Sequence, residues 1–244
     1  MKKALPDFLR KTRPGRSVWL ALLVAFSLAG CTAVRESLLL PTPEPPAYYH
    51  PSNVYAYSQT LPASLRRVAL LPLTTASAVA SQEAGVEELE PLLQSELEKT
   101  KRFEVVTLSG EQLRQLTGQS AWRADEALPL DFFDRLQKAT GCDAVMFSQV
   151  TRYQPYQPLA VGWKLNLASK TGLTNAEPQI LWSVDEVLDA GDSHIAAAAK
   201  TYYSQHIQNE QSSSDSGTIL RSPAMFGRFS LAVFFATIPD REKD

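Results

Sequence analysis

The run Arg67-Val68-Ala69-Leu70-Leu71-Pro72-Leu73 constrains the fold of this chain more than any other segment. It is continuously apolar over strand length, where a half-exposed strand would alternate. Such a run suits a strand buried on both faces, which requires a sheet with helices on each side.

A small, polar loop from Thr74 to Gly85 follows. Leu89, Leu92, Leu93 and Leu97 then fall at helical spacing, with Glu87, Glu88, Glu90 and Glu96 on other faces. Pro91 is expected in the first turn of that helix, where a missing N–H costs little. Phe103 to Thr107 reads as a second strand. Ser109 can cap a short helix through Leu116, and Gly118 can end it. Asp131 to Thr140 reads as a further helix stopped by Gly141. Asp143 to Tyr153 is a third strand, largely buried. Trp163 to Leu167 alternates with period two, so one of its faces is expected to be polar. Ile180 to Leu188 should pair with it across Lys170-Thr171-Gly172. Ser193 to Gln208 is helical, capped by Ser193 or Asp192, and a polar loop spans Asn209 to Gly217. A last helix runs from Pro223 to about Ala236. The order β-α-β-α-α-β-β-β-α-α predicts an α/β fold. Its mixed β-sheet would have an early β-α-β crossover, then antiparallel strands, covered by helices in a single domain.

The N-terminus carries a different signal. Lys2, Lys3, Arg10, Lys11, Arg13 and Arg16 precede a greasy stretch from Val18 to Ser27, which closes on Leu28-Ala29-Gly30-Cys31. Basic region, short apolar region and small residues at a cut are the order of a secretory signal. The apolar run is about a dozen residues, short of the roughly 20 that span a bilayer. Its ending resembles a bacterial lipobox. That resemblance implies cleavage between Gly30 and Cys31, a diacylglycerol thioether on Cys31, and acylation such as palmitate on the new N-terminus. Several acyl chains hold a protein to a membrane durably, where one does so marginally. Thr32 is not the Asp that marks inner-membrane retention in Gram-negative bacteria. By that analogy the expected location is the inner leaflet of the outer membrane, facing the periplasm.

Four segments are therefore expected: signal peptide 1–30, lipidated cysteine and Pro-rich tether 31–64, periplasmic domain 65–238, and charged tail 239–244. The tether holds Pro41, Pro43, Pro45, Pro46, Pro51 and Pro62. Proline-rich chain extends by about 3 Å per residue, giving a reach of up to roughly 90 Å. Tyr48, Tyr49, His50, Tyr55 and Tyr57 are unusual in a spacer. They either pack on the domain, sit in the linker, or form a docking segment for a partner.

Removing residues 1–30 takes six of the 24 basic and one of the 26 acidic residues, leaving 18 against 25, a formal charge of about −7. That balance argues against nucleic acid, which calls for a basic face. With Cys31 lipidated, only Cys142 remains of the two cysteines, so no internal disulfide can form. Stability must come from a hydrophobic core.

Several residues also carry a family resemblance. Arg67 to Leu73, Leu92 to Leu97, Arg102 to Val106, Thr140-Gly141-Cys142-Asp143-Ala144-Val145 and Thr171-Gly172 with Ile180-Leu181-Trp182-Ser183 look like the corresponding motifs of two periplasmic relatives. These are the TolB N-terminal domain and the curli-secretion lipoprotein. The likeness covers about Arg66 to Gln208. It implies an outer-membrane lipoprotein, and members include activators of peptidoglycan synthases, polysaccharide-export components and the curli pore. It supplies no catalytic residues. A pore needs inserting strands of about 9–11 residues, and Gln154 to Gly162 is too short and proline-broken to provide them.

Catalytic motifs are missing: no Gly-x-Ser-x-Gly, no His-Glu-x-x-His, no phosphate-cradling glycine loop. His194 and His206 lie twelve apart on one predicted helix, too far to share a metal, and His50 lies in the tether. No metal and no cofactor is expected. Cys142 reads as a core thiol. Asp185, Glu186 and Asp189 read as a solvated strand face, and Trp163 and Trp182 as core or sheet-face packing or an exposed aromatic interface. The expected function is a lipid-anchored periplasmic domain that binds another envelope protein, supporting assembly, export or cell-wall synthesis without catalysis. The alternatives are a subunit of a homo-oligomeric export complex and a small periplasmic hydrolase. The residues that bind are not readable.

Overall fold

The computed structural model describes residues 49–76, 80–170, 178–206 and 215–242. The signal segment, Gly30, Cys31 and the front half of the tether lie outside the described residues. So do Thr171-Gly172 and most of the 209–217 loop.

The strands are β1 (Val54–Ala56), β2 (Arg67–Leu70), β3 (Thr74–Thr75), β4 (Glu104–Thr107), β5 (Ala144–Gln154), β6 (Ala160–Ser169) and β7 (Gln179–Asp189). The helices are α1 (Ala80–Lys99), α2 (Gly110–Thr117), α3 (Phe132–Thr140), α4 (Ser193–His206) and α5 (Pro223–Phe235), with a 3-10 turn over Ser216–Leu220. The strands form one mixed sheet in the order β1-β7-β6-β5-β2-β4, and β3 pairs β5 off that path. β2 runs parallel to β4 and β5, while β5, β6, β7 and β1 are antiparallel neighbours. The expected α/β class, with its early crossover and later antiparallel strands, is what the chain adopts.

β2 explains the layering. Val68 and Leu70 point into one core and Ala69 and Leu71 into another, all nearly inaccessible. The first core joins Leu89, Leu93 and Leu97 of α1 with Ile195 and Tyr203 of α4 and Phe226, Phe229 and Phe234 of α5. The second joins Leu113 of α2, Phe132, Phe133 and Leu136 of α3, and Trp122. In the second core Phe132 stacks on Phe147 at 5.9 Å between ring centres.

Local chemistry sets the element ends. Ser109 Oγ accepts from the Gln112 N–H, and the Gln112 side chain accepts from the Ser109 N–H, a reciprocal cap on α2. Gly118 (φ 90°) and Gly141 (φ 67°) end α2 and α3 in the left-handed region that glycine adopts at no steric cost. The Asp143 carboxylate accepts from the backbone N–H groups of Arg66 and Arg67, each at 2.9 Å. That pair of bonds ties the start of β5 to the start of β2.

Three expectations need correction. α1 starts at Ala80, so Pro91 lies in its interior and not in its first turn. The stretch Ala80–Gly85 is small and polar but helix-compatible, and Gly85 is buried where a Cβ would meet the Tyr153 ring at 2.6 Å. The polar face expected of Trp163 to Leu167 is present but only partly solvated: Lys164 is partly exposed and pairs with Asp185, while Asn166 is buried and its amide donates to the Ala124 carbonyl at 3.0 Å. Finally, residues 49–64, assigned above to the tether, lie against the domain. β1 pairs with β7, matching Val54 with Val184 and Ala56 with Trp182, and Leu61 is 2% exposed. Leu61 bonds through its backbone to Asp240 and Glu242, which ties down the expected C-terminal tail as well. Single apolar residues between prolines carry no periodicity, yet Leu61 is buried in the core and Tyr49 and Val54 pack against it, while Tyr55 and Tyr57 stay exposed.

Candidate functional site: a groove under an N-terminal strap

The segment Tyr49–Ala56 forms a strap across the sheet edge, and one side chain fastens it. The Glu186 carboxylate accepts from the Tyr49 hydroxyl, from the Ser52 N–H at 2.8 Å, from the Ser52 hydroxyl at 3.3 Å and from the Asn53 N–H at 3.1 Å. Asp185 and Asp189 point to the opposite face of β7, where they pair with Lys164 and Arg152 at 3.7 Å each. Three acids expected on one solvated face therefore divide: two on the outer face, one holding the strap.

Strap, α4 and α5 together bound a groove of about 400 Å³. Ala198, Tyr202, Phe229, Ala232 and Val233 supply its apolar walls, and Tyr49, His50 and Pro51 one side. Thr201, Gln205 and His206 line it from α4. None of the lining residues is Asp, Glu, Lys or Arg. Four consecutive alanines, Ala196 to Ala199, lie on α4, and Ala198 lines the groove, leaving space that a larger side chain would fill. His206 stacks on Tyr202 with ring centres 4.7 Å apart. Burial pushes the Tyr202 phenol up to about 12, with Glu96 adding to the effect and Arg228 opposing it. Burial also raises the Tyr49 phenol, reinforced by its bond to Glu186 and that carboxylate's charge. Both phenols are neutral at physiological pH. A concave, mostly apolar site with a few polar groups at its margin is the usual form of a recognition pocket.

Sequence reasoning placed His50 and His206 apart, and folding brings both to this groove. His194 does not line it. Among the described residues no group of three or more His, Cys, Asp or Glu could hold a metal. Cys142 is a buried thiol; burial raises its pKa, partly opposed by a hydrogen bond from Thr140 and by Arg67. Trp163 and Trp182 are fully buried, their indole N–H groups donating to Ser230 and Thr237 at 2.9 and 3.0 Å. They are core residues, not an exposed aromatic interface. Glu186 is the functional residue that the sequence reading missed. The signal was there: Trp182, Val184, Glu186 and Leu188 share one face by alternation, which puts an acid on the core side.

No protein-family model matches the chain, and no curated protein matches it. Solved structures with a similar arrangement include the PelC dodecamer from Paraburkholderia phytofirmans. It is 12% identical, with a TM-score of 0.41 over 77% of this chain and 98% of that one. Lipoprotein GNA1162 from Neisseria meningitidis is 18% identical, with a TM-score of 0.38 over 57% of this chain and 96% of that one. The hypothetical protein CT253 from Chlamydia trachomatis is 7% identical, with a TM-score of 0.41 over 70% of this chain and 98% of that one.

Proposed function

We propose that this chain is a lipid-anchored periplasmic domain that binds another envelope protein through the groove between α4, α5 and the strap, and that contact rather than catalysis is its task. The observation that carries the reading is the groove itself. Its walls are apolar and its lining holds no fixed charge, so it is suited to take apolar anchor side chains from a partner. Its position adds weight, because the strap that walls it is continuous with the segment leading back to Cys31. A domain held at the membrane by lipid would present this groove at a limited distance from the bilayer. The lipobox order at Leu28–Cys31 and the motif resemblance to the TolB N-terminal and curli-secretion lipoprotein family support the same setting, the inner leaflet of the outer membrane.

The test is site-specific photocrosslinking in cells from a probe at Gln205, on the groove, and from one at Val187, on the outer sheet face. The expected result is a discrete adduct with one envelope protein from Gln205 and none from Val187. Equal patterns from both positions would overturn the groove as the binding face. An adduct between two copies of this chain would establish the homo-oligomeric reading instead. The anchor has its own test: Cys31→Ala should abolish acyl labelling and membrane fractionation. A variant that still takes up label would refute lipidation at Cys31.

A further inference from the structure

A second cleft, of about 560 Å³, opens between residues 56–59 and the C-terminal segment, adjoining the groove at Ala236 and Thr237. Arg102 lies in it, at the turn between α1 and β4. Its side chain is only 19% exposed, and among the described residues it pairs with Asp240, Nε to Oδ1 at 3.3 Å. Nε is nevertheless buried without a hydrogen bond. A guanidinium carries five N–H donors in a planar fork, and buried donors are normally satisfied. Here the partner carboxylate is 88% exposed and holds the fork poorly. Tyr57, Ser58 and Gln59, whose side chains are polar and uncharged, also line the cleft. Its backbone is set by bonds from Tyr57 N–H to the Leu181 carbonyl and from Leu61 N–H to the Asp240 carbonyl, at 3.0 and 2.9 Å.

We propose that this cleft is a carboxylate-binding site, in which an acidic side chain of a partner peptide displaces Asp240 from Arg102. Once Asp240 has been displaced into solvent, one cation among uncharged polar residues balances a monoanion. A phosphate group carries nearly two negative charges and calls for a second cation, which the lining lacks. Guanidinium matches carboxylate in a two-bond fork, a geometry that Asp240 does not achieve from its surface position. Asp240 is thus an internal competitor, and removing its charge leaves the fork free. The site shares no lining residue with the groove except Ala236 and Thr237, so either assignment can fail while the other stands.

The experiment uses the full chain in detergent and follows the Arg102 Nε–H resonance and the Ser58 and Gln59 backbone amides by NMR. The probes are a short blocked peptide with one glutamate, its glutamine counterpart, and inorganic phosphate. The glutamate peptide should move these resonances saturably, and Asp240→Asn should bind it roughly tenfold more tightly, since the competing state is removed. Arg102→Lys should lose the response at Ser58 and Gln59. Asp240 is exposed, so Asp240→Asn tests the idea even if the Arg102 variant folds poorly. No saturable shift in either the parent or Asp240→Asn, or an equal response to the glutamine peptide, would overturn the proposal. Tighter binding of phosphate than of the glutamate peptide would overturn the carboxylate assignment.

Discussion

The Tyr49 hydroxyl donates to the Glu186 carboxylate across 137 positions of sequence, and the same carboxylate receives Ser52 and Asn53. One acid on the core-facing side of β7 thereby fastens the segment that begins at Tyr49 to the sheet. Tyr49 and its neighbours also wall the groove, so whatever loosens Glu186 changes the groove too. Strap and groove form one unit.

Glu186→Ala should therefore do more than an ordinary surface substitution. It leaves the Tyr49 hydroxyl and two backbone N–H groups without their acceptor. Bonds to a charged acceptor contribute about 1.5–3 kcal/mol, and Ser52 and Asn53 are exposed, so a net loss of roughly 1–2 kcal/mol is expected. Hydrogen exchange should speed up at Ser52, Asn53 and the β1 amides and stay unchanged in β5. Uniform acceleration across the sheet would show that Glu186 supports the whole domain and not the strap.

Trp163 and Ser230 offer a sharper energetic test. Both are at 0% exposure, and the indole N–H donates to the Ser230 hydroxyl, which itself donates to the Gly227 carbonyl at 2.7 Å. Ser230→Ala leaves the indole N–H buried and unpaired, at a cost of about 1–3 kcal/mol. Urea unfolding should show that loss. In the Trp163→Phe background the same Ser230→Ala change should cost much less, because no orphaned donor remains. Additive losses in the double-mutant cycle would mean that the hydrogen bond is not what couples the two residues.

Local chemistry was legible in the sequence, and long-range chemistry was not. The apolar run at Val68 announced a strand covered on both sides, and Ser109, Gly118 and Gly141 announced their helix ends, because each acts on its immediate neighbours. The strap was not readable. β1 is three residues long, too short for alternation to register, and Val54 and Leu61 look like strays in proline-rich chain. The groove draws its walls from Tyr49, Thr201 and Val233, which meet only after the sheet and helices have packed. Pro91 misled for a different reason. Proline is so costly inside a helix that a first-turn position was the cheaper reading, yet α1 tolerates it on an exposed face, anchored on either side by Leu89 and Leu93.

The raised phenols set a pH dependence. Tyrosine in an unfolded chain ionises near about pH 10. Tyr49, Tyr153 and Tyr202 are all pushed above that, first by burial and then by Glu186, Glu88 and Glu96 respectively, with Tyr202 at about 12. A raised folded pKa means that the unfolded chain releases its proton first. Stability from these groups is thus complete below about pH 10 and falls as pH rises, for Tyr202 until about 12. Urea midpoints should be flat approaching about pH 9 and drop beyond about pH 10. Tyr202→Phe should make that drop shallower. An unchanged slope would show that the ring is not held neutral by its surroundings.

The groove can be blocked without disturbing the fold. Thr201 lines it from a partly exposed position on α4, so Thr201→Trp places an indole in the space and replaces no fully buried side chain. Substitutions at such positions usually change stability by about 0.5 kcal/mol or less. A filled groove excludes partner side chains outright, so the adduct formed from Gln205 should fall at least about tenfold, equivalent to about 1.4 kcal/mol of binding. Val187→Asp, on the opposite face of β7, should leave the adduct intact. If Thr201→Trp retains full crosslinking while Val187→Asp loses it, the partner sits on the outer sheet face, and the groove under the strap serves only to pack the chain's own N-terminal segment.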